Sequence, residues 1–310
     1  MIDVSFETHP ELYTDYIQAL KFLKGINEND YTYPEHKVNF HLYTEVKNEK
    51  ELLSVKSFFA TQNLDKTKLV LWSDWDISKN ELLAPFKNYI DFRGYDPVGL
   101  AEGTLLEGNL KQLLATDSLH YMMSGMLRFL APYKMGGVWF DMDMVLLRDL
   151  VPILDQEFAY MWGSETDFAG HGPCAAFLNI HQESEHAHLC LEEMAKAPII
   201  PNTVCRDHEL LAKVYRRRPF TVFPSAFFNT EWQINVKYPG RGTKIEEGWF
   251  KKTNYEEALF VEWEYTDTTF LEAFSWHWHN SCNKDKTVEP GSKFYTLNAY
   301  IDKLLHRRGF

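Results

Sequence analysis

Two aspartates one residue apart, Asp141 and Asp143, follow the short run Val138-Trp139-Phe140, which is itself preceded by Gly136-Gly137. A β-branched and aromatic run of that length, bounded by glycines, reads as a buried strand. If extension continued, alternation would point both carboxylates to the same side. Paired carboxylates repel, and a divalent cation relieves the repulsion; hard oxygen donors suit magnesium, calcium or manganese. The bland reading is a strand end with two solvated aspartates in a turn. A second pair lies in Phe274-Ser275-Trp276-His277-Trp278-His279-Asn280-Ser281, where alternation puts His277 and His279 on one face and the tryptophans on the other. Two histidines with two carboxylates would equally suit zinc or iron. The candidate metal ligands are therefore Asp141, Asp143, His277 and His279.

These residues need elements to position them. Residues 124–137 read as a helix, with apolar residues at 123, 126, 127 and 130 and a stop at Gly136-Gly137, so the helix feeds directly into the aspartate strand. Upstream, 38–44 reads as a first strand, 48–60 as a helix and 68–74 as a second strand. Strand, helix and strand with so long a connection imply a parallel pair. Ligands of open α/β sheets bind beyond the carboxyl ends of the strands. Tyr43, Thr44, Trp72 and Asp74 lie at such ends: Tyr43 or Trp72 would stack on a base or pack in the core, and Asp74 would bond to a base or ribose. An amphipathic helix is expected over 11–24, further helix over 105–134, and a strand over 158–163. Residues 205–209, which include Asp207, open a helix whose acidic residues favour the positive end of its dipole.

The block from 124 to 150 resembles the glycosyltransferases that carry a DxD sugar-binding region, a group spanning mannosyl-, galactosyl- and capsular-polysaccharide transferases with the clostridial glucosylating toxins as distant relatives. Their pattern is Ser-Asp-x-x-Arg, an apolar helix, Tyr-x-x-Gly-Gly, an aromatic strand, Asp-x-Asp and a Leu-rich tail. Arg128, Tyr133, Gly136, Gly137, Asp141 and Asp143 match it, followed by Leu146-Leu147-Arg148-Asp149-Leu150. The family's acidic residue three positions before the arginine is Gly125 here. The resemblance implies an α/β fold of GT-A type: a Rossmann-like nucleotide-sugar-binding fold with a mixed central sheet flanked by helices. It also implies donor contacts from Tyr43, Thr44, Trp72, Asp74, Ser124, Arg128 and Asp141. Arg128 is either a phosphate ligand, for which its planar fork is suited, or a salt bridge on the helix face. The implied catalytic residues are Asp143, Arg128, Glu165 and Asp167; the last two either face the reacting carbon or lie in a solvated loop. His277 is the implied metal ligand, with His279 and Asn280 behind it.

Composition bounds the rest. The chain has 310 residues and a formal net charge of −12, which argues against nucleic acid as the main partner because phosphate backbones need clustered Lys and Arg. No GxGxxG occurs, so a nicotinamide or flavin site is not indicated. Cys174, Cys190, Cys205 and Cys282 form no CxxC pair and read as free thiols in a reducing compartment. The N-terminus reads as no signal peptide and no segment reads as transmembrane, so a cytoplasmic protein is expected. The basic C-terminal stretch 303–308 reads as a helix end that could touch an anionic membrane or simply be solvated.

The expectation is a single domain over 1–310, with a nucleotide-sugar-binding half over about 36–150, an acceptor and catalytic half over about 151–290, and a C-terminal helix over 291–310. The implied function is a manganese- or magnesium-dependent transfer of a sugar from a nucleoside-diphosphate sugar to a glycan or other hydroxyl acceptor, with retention of configuration. Two alternatives stand beside it. One is a non-catalytic sugar-nucleotide or glycan-binding relative, motivated by Gly125. The other is a phosphatase of haloacid-dehalogenase type, since Asp141-Met142-Asp143-Met144-Val145 also fits DxDx[T/V] with Asp141 as nucleophile.

Overall fold

The computed structural model describes residues 2–108, 121–162, 172–196, 207–230, 249–252 and 271–310. Asp15 divides the first helical segment. Its carboxylate accepts from the backbone N–H of Ile17 and Gln18, so the expected single helix becomes α1 (Pro10–Thr14) and α2 (Tyr16–Lys24). An aspartate side chain that captures free N–H groups starts a helix rather than continuing one. Next come β1 (Val38–Tyr43), α3 (Glu49–Thr61), β2 (Thr67–Ser73), β3 (Ile90–Gly94) and α4 (Pro97–Ala101). The helix α5 (Tyr121–Met135) runs into β4 (Gly137–Phe140), then β5 (Met144–Leu146), β6 (Phe158–Met161) and β7 (Pro173–Ile180). The chain continues through α6 (Glu185–Lys196), α7 (Asp207–Arg217), β8 (Thr221–Phe223), β9 (Ser275–His277), α8 (Asn280–Asn283) and α9 (Lys293–Arg307).

Among the described residues seven strands form one mixed sheet in the order β3-β2-β1-β4-β7-β6-β8. β1, β2, β3 and β4 run parallel; β7 is antiparallel to both β4 and β6, and β8 runs parallel to β6. Alternation sorts the side chains into two cores. Leu69, Leu71, Val138 and Phe140 face one core together with α3 residues such as Phe58. Val70, Trp72 and Trp139 face the other, with α5, α6 and α7. Each fully buried large side chain contributes about 2–3 kcal/mol of transfer free energy, so sandwiching the sheet on both faces stabilises it far more than pairing alone would.

Among the described residues a second sheet pairs β5 and β9, antiparallel, with Met144 opposite His277 and Leu146 opposite Ser275. This ladder brings the aspartate motif and the histidine motif together. The glycines before β4 have a physical cause as well. Gly137 has φ of 110°, and a Cβ there would lie 2.1 Å from the Asn39 carbonyl oxygen of β1. Only glycine lets the strand enter the sheet at that point.

Among the described residues no helix is long and apolar enough to cross a membrane. Cys174, Cys190 and Cys282 are free thiols, and Cys205 lies outside the described residues. In the basic C-terminal stretch, Arg308 has a structural role: its guanidinium donates to the carbonyls of Phe59 and Gln62 at 3.1 and 2.6 Å, closing the C-terminal end of α3.

Candidate active site

The strand β4 ends at Phe140, and the aspartates enter a turn closed by Met144 N–H donating to Asp141 O at 2.9 Å. Extension therefore stops one residue too early for both carboxylates to point the same way. Each aspartate faces its own partners.

Asp141 accepts two bonds from Arg128 Nη2, at 2.9 and 2.8 Å, and one from the Trp139 indole N–H at 2.7 Å. Arg128 projects from α5 and its other terminal nitrogen donates to Asp207, the first residue of α7. The guanidinium thus lies between two carboxylates. Burial pushes the Asp141 carboxyl up to about 6; Arg128 opposes that shift and the nearby Asp143 charge adds to it. Burial also opposes the charge on Asp207, but Arg128 and His208 outweigh it and hold the group below the usual carboxylate range.

Asp143 is 9% exposed and points the other way. Its Oδ2 lies 3.2 Å from His277 Nε2 and accepts from the backbone N–H of Asn280 at 2.7 Å, while its carbonyl accepts from Trp278 N–H at 3.0 Å. Burial raises the Asp143 carboxyl, but His277 and the Asn280 N–H more than offset it, so the group stays well below its ordinary value. On the far side of the imidazole, Tyr160 Oη lies 3.4 Å from His277 Nδ1. The His279 ring stacks on His277 with centroids 3.9 Å apart, and its Nε2 is 3.2 Å from Asn229 Nδ2. His279 adopts φ of 51°, the left-handed turn that starts α8 and delivers the Asn280 N–H to Asp143.

Asp143 and His277 are the groups that could hold a divalent cation, the carboxylate suiting manganese or magnesium and the imidazole suiting zinc or iron as well. A carboxylate oxygen and an imidazole nitrogen 3.2 Å apart have the separation of neighbouring ligands on one ion. Among the described residues no three His, Cys, Asp or Glu side chains form a cage of their own. Such an ion would need further oxygens from substrate and water, which is how magnesium and manganese are held beside phosphates. Of the four ligand candidates, the structure brings Asp143 and His277 together, commits Asp141 to Arg128 and Trp139, and places His279 behind His277.

Tyr43 ends β1 and Trp72 lies near the end of β2, with Thr44 and Asp74 just beyond. Tyr43 Oη donates to Asp74 Oδ2 at 2.5 Å, joining the ends of β1 and β2. Burial, and then Asp74, raise the Tyr43 phenol well above its ordinary value. Thr44 Oγ1 donates to Glu51 at 2.8 Å and accepts from Val46 N–H, in a loop where buried Val46 takes φ of 52°. A β-branched residue adopts that backbone only when its surroundings force it. Trp72 is 2% exposed and its indole N–H goes to His41 Nδ1, so it packs in the core, whereas its neighbour Trp75 is 68% exposed beyond the end of β2. Ser124 is half-buried on α5, one turn before Arg128. Glu165 and Asp167 lie outside the described residues.

The sequence reading missed Asp207, Tyr160 and the Asn280 N–H. Asp207 was legible only as a helix-start acid, because its partner Arg128 belongs to another helix. The main-chain contribution of Asn280 has no sequence signal at all.

No protein-family model and no curated protein sequence matches this chain. Solved structures do. The chain is similar to the PaToxG glycosyltransferase, at 11% identity and a TM-score of 0.44, over 69% of this chain and 80% of that one. It is also similar to the glycosyltransferase GlyE of Streptococcus pneumoniae TIGR4, at 11% identity and a TM-score of 0.49, over 88% of this chain and 63% of that one. The WbbM bifunctional glycosyltransferase is similar at 10% identity and a TM-score of 0.46, over 89% of this chain and 52% of that one. The chain therefore spans about three-fifths of the GlyE chain and half of the WbbM chain.

Proposed function

We propose that this protein is a metal-dependent glycosyltransferase of GT-A type that moves a sugar from a nucleoside-diphosphate donor to a hydroxyl acceptor with retention of configuration. The observation that carries the reading is the Asp143–His277 pair at 3.2 Å, set beside Arg128 at the carboxyl edge of a sheet whose first strands are parallel.

Asp143 and His277 would hold manganese or magnesium, which when bound neutralises the diphosphate and stabilises its departure. The chain's own residues do the rest. Asp141 and Asp207 fix the plane of Arg128 and engage both of its terminal nitrogens, so a donor phosphate would take its fork only by displacing one of these carboxylates. Asp207 places a carboxylate against Arg128, with its other oxygen accepting from the backbone N–H of His208. Tyr43 and Asp74 present a phenol and a carboxylate where a base and ribose would lie. In the reaction the bond from the anomeric carbon to the diphosphate oxygen breaks and its electron pair leaves with the diphosphate. The acceptor oxygen bonds to the anomeric carbon, and its proton passes to the departing phosphate.

The phosphatase alternative needs Asp141 free to attack phosphorus; here both of its oxygens are held by Arg128 and one also by Trp139. The test is a manganese-dependent binding and hydrolysis screen over UDP- and GDP-sugars with Asp143→Ala as control. A hit lost in the variant supports transfer. Binding without hydrolysis or transfer to any acceptor supports the binding-only relative, and no binding in either protein ends the reading.

A further inference from the structure

The helix α3 carries a polar stripe where a core-facing helix should be apolar. Lys50, Ser54 and Ser57 are spaced four and three apart, so they share one face. All three are buried, with Lys50 at 8% exposure and both serines at 0%. Buried polar groups persist where they have partners, and here the partners are main-chain atoms of the two site-bearing segments. Lys50 Nζ donates to the carbonyls of Asn283 and Lys284 at 2.8 and 2.9 Å, at the end of α8, the helix that His279 opens. Its ammonium also sits 4.6 Å from the Phe250 ring centroid and 5.9 Å from that of Trp278. One turn along, Ser54 Oγ donates to the carbonyl of Met142, the residue between the two aspartates, at 2.5 Å. Ser57 Oγ accepts from Leu146 N–H at 2.9 Å and donates to Ser54 O at 2.7 Å.

We propose that α3 is the positioning element of the candidate cation site, with Lys50 setting the histidine segment and Ser54 and Ser57 setting the aspartate turn, so that one rigid helix fixes the separation of Asp143 and His277. The proposal rests on the transferase reading for its purpose, though not for its geometry. The two segments touch each other through the short β5–β9 ladder and the Asn280 N–H bond to Asp143. A three-residue ladder leaves freedom to slide and tilt, and anchors on a thirteen-residue helix remove it. Without the Ser54 hydroxyl the Met142 carbonyl loses its partner, and the turn rotates to find another, taking Asp143 with it. Without the Lys50 ammonium the Lys284 carbonyl loses its donor and the Asn283 carbonyl keeps only the Lys286 N–H, and the α8 start that aims Asn280 loosens. Neither residue reaches the substrate; both act through Asp143, His277 and Asn280.

The experiment compares wild type with Lys50→Met, Ser54→Ala and Ser54→Thr, and with Lys56→Met as control. Lys56 lies on the same helix but bonds Asn298 and Asp302 of α9, away from the site. Two readouts are taken: the ¹⁵N-histidine signals of His277 and His279 in the metal-free protein, and manganese binding followed by electron paramagnetic resonance with UDP or GDP present. Lys50→Met and Ser54→Ala should move both histidine signals and weaken manganese binding about tenfold, as loss of an outer support does. Ser54→Thr, which keeps the hydroxyl, and Lys56→Met should change neither. Histidine signals that coincide with wild type in both Lys50→Met and Ser54→Ala would overturn the proposal. Wild type that takes up no manganese with either nucleotide would overturn the transferase reading instead, while the histidine signals still decide the role of α3.

Discussion

His277 Nε2 lies 3.2 Å from Asp143 Oδ2, although one residue ends a strand near the C-terminus and the other sits in a turn at the middle of the chain. The register that pairs Met144 with His277 makes the contact, and the Asn280 N–H bond to the same carboxylate oxygen fixes its direction. Main-chain bonds thus hold the carboxylate and the imidazole side by side.

Under the transferase reading Asp143→Ala and His277→Ala should each lower manganese-dependent binding of a nucleoside diphosphate by more than about a hundredfold, because each would remove a ligand outright rather than a support. Chelation should abolish binding and added manganese should restore it. Calorimetric titration of UDP and GDP with and without metal checks this, and wild-type affinity in either variant would sink the ligand assignment.

Arg128 couples two helices and a turn. Arg128→Met should cost about 3–5 kcal/mol, since it strands the Asp141 and Asp207 carboxylates in a largely buried setting. Adding Asp207→Asn should recover part of that loss, because the stranded charge and not the missing contact dominates. Urea denaturation of both single variants and the double variant measures the coupling. Simple additivity would mean that the pair does not act as a unit.

The sequence placed the central elements well because their signals are local. The strand over 38–44, the helix over 48–60 and the strand over 68–74 match the structure within a residue, and the helix expected over 124–137 runs from Tyr121 to Met135. Fine geometry around the aspartates was not local. Spacing placed both carboxylates on one side, but the turn closed by Asp141 O and Met144 N–H sends them to different partners. Trp72 ends the apolar run Leu69-Val70-Leu71 and is buried, whereas Trp75 lies between Asp74 and Asp76 and is exposed, so this contrast was legible in the local sequence. The split at Asp15 was legible in principle, because an aspartate within an apolar pattern is a good N-cap. The polar stripe on α3 reads as a solvated face until the structure supplies its partners.

Gly172 ties the position of α7 to that of Arg128. A Cβ on this residue would lie 2.1 Å from the His208 carbonyl oxygen and 2.8 Å from the Ala212 Cβ. Gly172→Ala should therefore push the start of α7 off β7, cost about 1–3 kcal/mol, and draw Asp207 away from Arg128. Gly94→Ala, where a Cβ meets nothing within 4 Å, is the control and should stay within about 0.5 kcal/mol. Thermal melts give the stability terms. Donor affinity should fall with Gly172→Ala and hold with Gly94→Ala; equal affinities in the two would separate α7 from the site.

His41 makes the fold sensitive to acid. It is fully buried in β1, where Nδ1 accepts from the Trp72 indole N–H at 3.2 Å and Nε2–H donates to Gly136 O at 2.9 Å, so the neutral ring is the form the fold holds. Burial lowers its pKa to about 4, with the Gly136 carbonyl opposing the shift only in part. As pH falls below about 6.5 the unfolded chain takes up this proton before the folded one does. The stability that His41 contributes is therefore complete above about pH 6.5 and is lost progressively down to about pH 4, by about 3 kcal/mol in all. Asp141, whose carboxyl is raised to about 6, acts with the opposite sign in the same window, because the folded state binds its proton first. The comparison must therefore be made against a variant and not against pH alone. His41→Gln removes the titrating ring while keeping hydrogen-bonding groups, and its urea midpoint should fall less steeply between pH 7 and pH 5 than that of wild type. Parallel slopes would mean that the buried imidazole is not what acid attacks first.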